Sequence, residues 1–209
     1  HAADVYAAQT RRFQALLTPD ARRLSVEVTT SDAKPRFQLR FRPISSKADH
    51  ERLTQLALSS RGNSGRGRDS FMNKEKAGCI KCHTLNGEGG KIGPDLTGIG
   101  RRFSRIHLIE SILEPSRTVA PSYATHALVL ENGRILSGIK VEEKRATLVI
   151  GDNQGKLNEV PKSQIEQIIK QPTSTMPEGL EKKMTDREFL DLIAFLESQK
   201  STPPRKTSN

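Results

Sequence analysis

A chain of 209 residues with 34% apolar and 28% charged residues has room for one or two domains, and it is not disordered throughout. Its 34 Lys and Arg exceed its 24 Asp and Glu by enough to leave a net charge of +10. That charge is scattered from Arg11 to Lys206 beside acids, not gathered in a stripe with aromatics. This excludes an ordinary nucleic-acid surface and leaves a basic soluble face or an acidic protein partner.

No apolar run approaches the roughly 20 residues that span a bilayer, so no membrane span is expected in this chain. Residue 1 is His, and no basic start with an apolar signal segment follows it. A mature chain or a piece of a longer protein is the expectation.

In the first third, Val5, Ala8, Phe13 and Leu16 predict one amphipathic helix over Ala2–Leu17. Leu24–Thr30 and Phe37–Phe41 alternate apolar with polar residues and predict a β-hairpin across Ser31–Pro35. His50–Leu58 predicts a helix, with Leu53, Leu56 and Ala57 on one side. Ser59–Gly67, rich in Gly, Ser and Arg, predicts a linker. A short helix around Arg66–Lys74 follows, with Gly67 and Phe71 four apart on one face.

That helix leads to the only two cysteines of the chain, in Cys79-Ile80-Lys81-Cys82-His83. The C-x-x-C-H spacing is the attachment pattern of a c-type haem. Two thiols three positions apart on one helical turn can each add to a vinyl group, and His83 is then held beneath the iron as proximal ligand. A buried prosthetic group also suits a chain with no Trp, 7 Phe and 2 Tyr. Three rivals stand beside this reading. A structural zinc site wants four ligands, but His107 and His126 are spaced unlike a finger pair. A redox dithiol wants a βαβ setting. A plain disulfide leaves His83 unexplained.

Asn86–Gly100 carries six glycines around Pro94-Asp95-Leu96, a backbone able to bend closely around a flat ligand. Phe103–Glu114 predicts a helix ended by Pro115. From Tyr123 the period changes to two, predicting strands at Thr125–Leu130, Ile135–Val141, Thr147–Ile150, Leu157–Val160 and Ile165–Ile169. Asn132-Gly133 is a hairpin signal among their turns. Thr185-x-x-Glu188 is a capping box opening a last helix through Phe189, Leu192, Ile193 and Leu196. Lys200–Asn209 predicts a disordered tail.

Gly67, Phe71, the C-x-x-C-H motif, Gly93-Pro94-Asp95-Leu96-x-Gly98, Met176-Pro177 and the final helix together resemble class I cytochrome c. The β-rich insert, with Glu114-Pro115-Ser116 before it and Met176–Leu180 after it, is similar to the haem-binding C-terminal domain of planctomycete and verrucomicrobial secreted proteins. This resemblance covers about Gly62–Ser198 and implies a mainly α cytochrome c fold with an inserted small antiparallel β lobe. The first sixty residues lie outside it and read, from their own pattern, as an α+β N-terminal extension or the end of an upstream domain. The implied divisions are an extension over 1–60, a first cytochrome part over 61–121, the insert over 122–170, the Met loop and last helix over 171–199, and the tail over 200–209. The insert is expected to form a separate, replaceable lobe.

The resemblance further implies one covalent haem c, with Met176 as second axial ligand and the Pro94 carbonyl accepting the Nδ1 hydrogen of His83. Met184, His126 and His107 remain alternatives to Met176, while Met72 suits the core. Arg101, Arg102 and Tyr123 are candidates for the haem propionates, or else solvated or packing residues. His/Met ligation implies electron transfer between redox proteins, from a dehydrogenase, in places an upstream domain, to an acidic respiratory acceptor. A haem-based gas sensor or haem enzyme with a labile sixth ligand is the alternative. Haem attachment of this kind implies a periplasmic or equivalent extracytoplasmic compartment.

Overall fold

The computed structural model describes residues 2–7, 12–16, 37–42 and 48–200. The chain divides at Arg52/Leu53 into two compact units. In the first, β1 (Ala2–Ala7), β2 (Arg12–Leu16) and β3 (Phe37–Arg42) form an antiparallel sheet in the order β2-β1-β3. This corrects the helix expected over Ala2–Leu17. Short apolar runs satisfy a helical and a strand period equally, and strand pairing decides between them. Here Val5 pairs with Phe13 on one side and with Leu39 on the other. Phe37–Phe41 is a strand as expected, but its expected partner at Leu24–Thr30 lies outside the described residues, as does the tail beyond Lys200.

The second unit takes in α1 (Ala48–Ser59) from Leu53 onward, then α2 (Ser64–Met72) and α3 (Cys79–Cys82). A two-stranded ribbon, β4 (Thr84–Leu85) with β5 (Glu88–Gly89), precedes α4 (Ile99–Arg102) and α5 (Arg105–Leu113). The helix expected over Phe103–Glu114 is α5, trimmed by two residues at its start and one at its end. Phe103 and Ser104 are extended, and the chain restarts as a helix at Arg105. Five strands follow: β6 (Thr125–Leu130), β7 (Ile135–Glu143), β8 (Thr147–Gly151), β9 (Leu157–Pro161) and β10 (Ile165–Lys170). The unit closes with α6 (Asp186–Ser198), whose capping box has both of its bonds. Among the described residues no helix is long and apolar enough to cross a membrane.

The helices share one apolar cluster in which Phe71, Ile109 and Ile193 are fully buried. Each such side chain contributes about 1.5–3 kcal/mol by leaving water. Helices α2 and α6 approach closely because Gly67 has no side chain: a Cβ there would lie 1.9 Å from the carbonyl oxygen of Asp191. Phe71 and Phe195 then pack with ring centroids 5.5 Å apart. Asp191, almost fully buried, accepts from the Asn63 amide at 2.6 Å and from Arg66 at 2.6 and 3.1 Å. That pins the start of α2 to α6.

The sheet has its own cluster of Leu128, Leu130, Leu148, Ile150 and Val160. Its strand order is β10-β6-β7-β8-β9, so the last strand pairs with the first. Lys170 therefore lies opposite His126, and the chain leaves the sheet where it entered. The sheet from Thr125 to Lys170 can thus be inserted without separating the helices on either side. The unit joins its helices to an antiparallel β lobe, so the expected mainly α fold with an inserted β lobe holds in part.

Candidate cofactor site

Helix α3 is a single turn set off by Gly78, whose φ of 62° is the left-handed region that glycine tolerates. One turn places Cys79 and Cys82 on the same side. The His83 amide donates to the Cys79 carbonyl at 2.9 Å, and His83 itself turns extended. The glycine-rich loop folds back on this turn. Gly90 donates to the Ile80 carbonyl at 2.9 Å and Gly93 to the Cys82 carbonyl at 2.8 Å. The fit leaves no room: a Cβ on Gly93 would stand 2.7 Å from Cε1 of His83. The loop thereby brings the Pro94 carbonyl 2.9 Å from His83 Nδ1, which donates to it.

Burial pushes the Cys79 thiol up to about 11. Burial, and then the nearby Asp152 carboxylate, raise Cys82 as well. Burial also lowers His83 below the usual histidine range, opposed by its bond to Pro94. At neutral pH the site therefore holds two protonated thiols and a neutral imidazole whose lone pair is on Nε2. A redox dithiol needs a depressed thiol instead. Among the described residues no group of three or more His, Cys, Asp or Glu is placed to hold a metal ion, so the zinc reading lacks its ligands. Both cysteines are free thiols.

Cys79, Cys82, His83, Pro94, Tyr123 and Met176 all border one cavity of about 400 Å³. Its wall is mostly apolar, with Phe71, Ile99 and Leu180 among the contributors. This is the size and character of a cofactor pocket. The donor set is two thiols, one neutral imidazole and one thioether, around an apolar slot that a Cβ at Gly93 would invade. It fits a covalently attached haem.

The structure does not bring Arg101 and Arg102 to this wall. Arg102 donates instead to the carbonyls of Asp95 and Thr97, at 2.7 and 3.3 Å. Met184 and Met72 pack on the helical cluster, and neither Met184 nor His126 borders the cavity. His107 does border it, stacked on Phe103 with centroids 4.3 Å apart and planes within 10°.

Sequence reasoning missed the sheet's part in the wall. Ile139 of β7 and Asn153 and Gln154 of the β8–β9 turn border the cavity. Gly155 comes so close to α3 that a Cβ would lie 2.9 Å from the Lys81 carbonyl oxygen, and a Cβ on Gly151 would lie 2.5 Å from Ile92. A polar hairpin turn carries no signal of such a role. The insert has its own core, but it also encloses the site.

Residues 64–128 match the family model for Cytochrome c. The match runs from α2 into β6 and stops short of Met176. It supports a haem-binding, electron-transferring c-type cytochrome with covalently bound haem c and redox partners. No curated protein matches the chain.

Proposed function

We propose that this chain carries one covalent haem c with His83 and Met176 as axial ligands, and that it relays electrons between redox proteins. The observation that carries the reading is the meeting of Cys79, Cys82, His83 and Met176 on one apolar cavity, drawn from segments almost a hundred residues apart. Bound there, a haem supplies a one-electron iron couple.

The protein's own residues do the rest. Cys79 and Cys82, protonated and on one helical turn, are the attachment points. The Pro94 carbonyl holds His83 in the tautomer that presents Nε2, and the bond makes the imidazole a stronger donor. The soft Met176 thioether favours the reduced metal and keeps exogenous ligands out. Of the three residues expected at the propionates, Tyr123 is the one on the cavity wall, where its hydroxyl could donate to one.

The electron donor in this reading is a dehydrogenase, in places an upstream domain, and the acceptor is an acidic protein. Lys81 and Lys183 on the cavity border and the net charge of +10 support an acidic partner. The compartment is periplasmic or equivalent, in keeping with the usual place of cytochrome c domains. The β insert supports kinship with the planctomycete and verrucomicrobial haem-binding domains.

The test is an optical spectrum of the haem-loaded ferrous protein with and without carbon monoxide. Wild type should resist the ligand and Met176→Ala should admit it. Ready binding by wild type would shift the reading to a sensor or enzyme with a labile sixth position.

A further inference from the structure

The segment that carries Met176 lies between the end of β10 at Lys170 and the 3-10 turn at Leu180–Lys183, with no helix or strand of its own. Its amide of Gln171 donates to the Thr125 carbonyl at 2.8 Å, at the entry to the sheet. The hydroxyls of Thr125 and Thr175 then bond to each other at 2.8 Å, across fifty positions of sequence. Both residues are buried, at 4% and 8% exposure. Ser174 adds two bonds: its amide donates to the Ser116 hydroxyl, and its own hydroxyl accepts from the Met176 amide, each at 3.1 Å. Ser174, Thr175 and Met176 all border the cavity.

The geometry points to Thr125 as a positioning residue that, through the Thr175 hydroxyl, holds the Met176 thioether in the cavity and so sets how often the sixth position opens. This rests on Met176 being the axial ligand. The physical case has three parts. A hydroxyl pair buried from water is costly to break, because each unpaired oxygen then lacks a partner. Thr125 begins β6, which is paired on both sides by β10 and β7, so it is a fixed point for the loop. A thioether is a neutral ligand without charge to hold it at the metal, so the loop's own preference for the closed position decides the equilibrium. The five-stranded sheet thereby acts on the site from which its own core is separate.

The experiment compares haem-loaded wild type with Thr125→Val, Thr125→Ser and Met176→Ala. The readouts are the ferric sulfur-to-iron charge-transfer band and the carbon monoxide affinity of the ferrous form. Thr125→Val should weaken the band and raise the apparent carbon monoxide affinity about threefold to tenfold, the span expected for one net hydrogen bond. Thr125→Ser keeps the hydroxyl and should restore wild-type values, which a general packing role would not do. Wild-type values for Thr125→Val overturn the positioning role, as does a Thr125→Ser protein as open as the valine variant. If Thr125→Val does not load haem, Thr175→Val removes the same bond from the loop side and is held to the same expectation. Failure of both valine variants to load, with Thr125→Ser impaired as well, also overturns it. A charge-transfer band that survives Met176→Ala would instead overturn the ligand assignment itself.

Discussion

The Nδ1 nitrogen of His83 and the carbonyl oxygen of Pro94 stand 2.9 Å apart, eleven positions distant in sequence, because Gly93 lets the backbone lie against the imidazole ring. The Gly93 amide is bound to the Cys82 carbonyl on one side and the ring closes the other.

Gly93→Ala should therefore push the imidazole off its position and break the bond to Pro94. A Cβ would lie 2.7 Å from Cε1 and 2.8 Å from Nδ1, well inside contact. The expected result is a fall in haem content per chain and a weakened His83 ligand. Absorbance of the loaded protein checks the first, and the midpoint potential the second. A Gly93→Ala protein with full haem content and an unaltered spectrum would show that the loop can move aside.

A second prediction concerns acid stability. Lys76, and then the Thr185 amide, hold Glu188 down to about 2 from an ordinary 4.5. Burial pushes Asp191 upward, but the bonds from Arg66 and the Asn63 amide outweigh it and leave its carboxyl below the usual range. Both carboxylates take up protons more readily in the unfolded chain. Their stabilisation is thus fully present above the ordinary carboxylate range and is lost as pH falls through the folded values. Denaturant midpoints should drop between about pH 4.5 and pH 2. Glu188→Gln should flatten the lower part of that fall. An unchanged profile in that variant would assign the acid sensitivity elsewhere.

Asp191→Ala should be costly at any pH above that window, by about 1–3 kcal/mol, because it strips partners from a part-buried amide and a charged guanidinium. Half of the Arg66 side chain remains in water, which caps the loss. The denaturant midpoint measures it. A loss below the scatter of surface substitutions would mean that α2 is held to α6 by packing at Gly67 and Phe71 alone.

The last prediction concerns the insert. Gly155 has a φ of 86° and sits against Lys81, so Gly155→Val should lift the β8–β9 turn from α3 and let water reach the Cys82 side of the cavity. More solvent favours the more highly charged oxidised site, and the midpoint potential should fall. Replacement of residues 125–170 by a short linker should remove Ile139, Asn153 and Gln154 from the wall and impair haem retention. Wild-type spectra and potential after that replacement would make the sheet a bystander.

Several features needed only neighbours along the chain. Cys79, Cys82 and His83 act through spacing on one turn, and Thr185 and Glu188 cap one helix, so both were legible in the residues themselves. The period-two runs from Thr125 to Lys170 became strands at nearly the expected bounds, since short turns such as Asn132-Gly133 let the first four runs pair in succession along the chain. Residues 2–16 were not so legible: their apolar spacing suited both periods, and pairing with Phe37–Arg42 decided the outcome.

Contacts across long separations were decided by the tertiary structure alone. Asn153 and Gln154 came to the cavity wall because Gly155 and Gly151 let backbones meet, and Thr125 met Thr175 because β10 pairs with β6. A sequence specifies which groups can bond and how the chain turns locally. Which distant groups are brought within 3 Å of one another depends on how the sheet closes and where glycine permits contact, and those are properties of the packed chain.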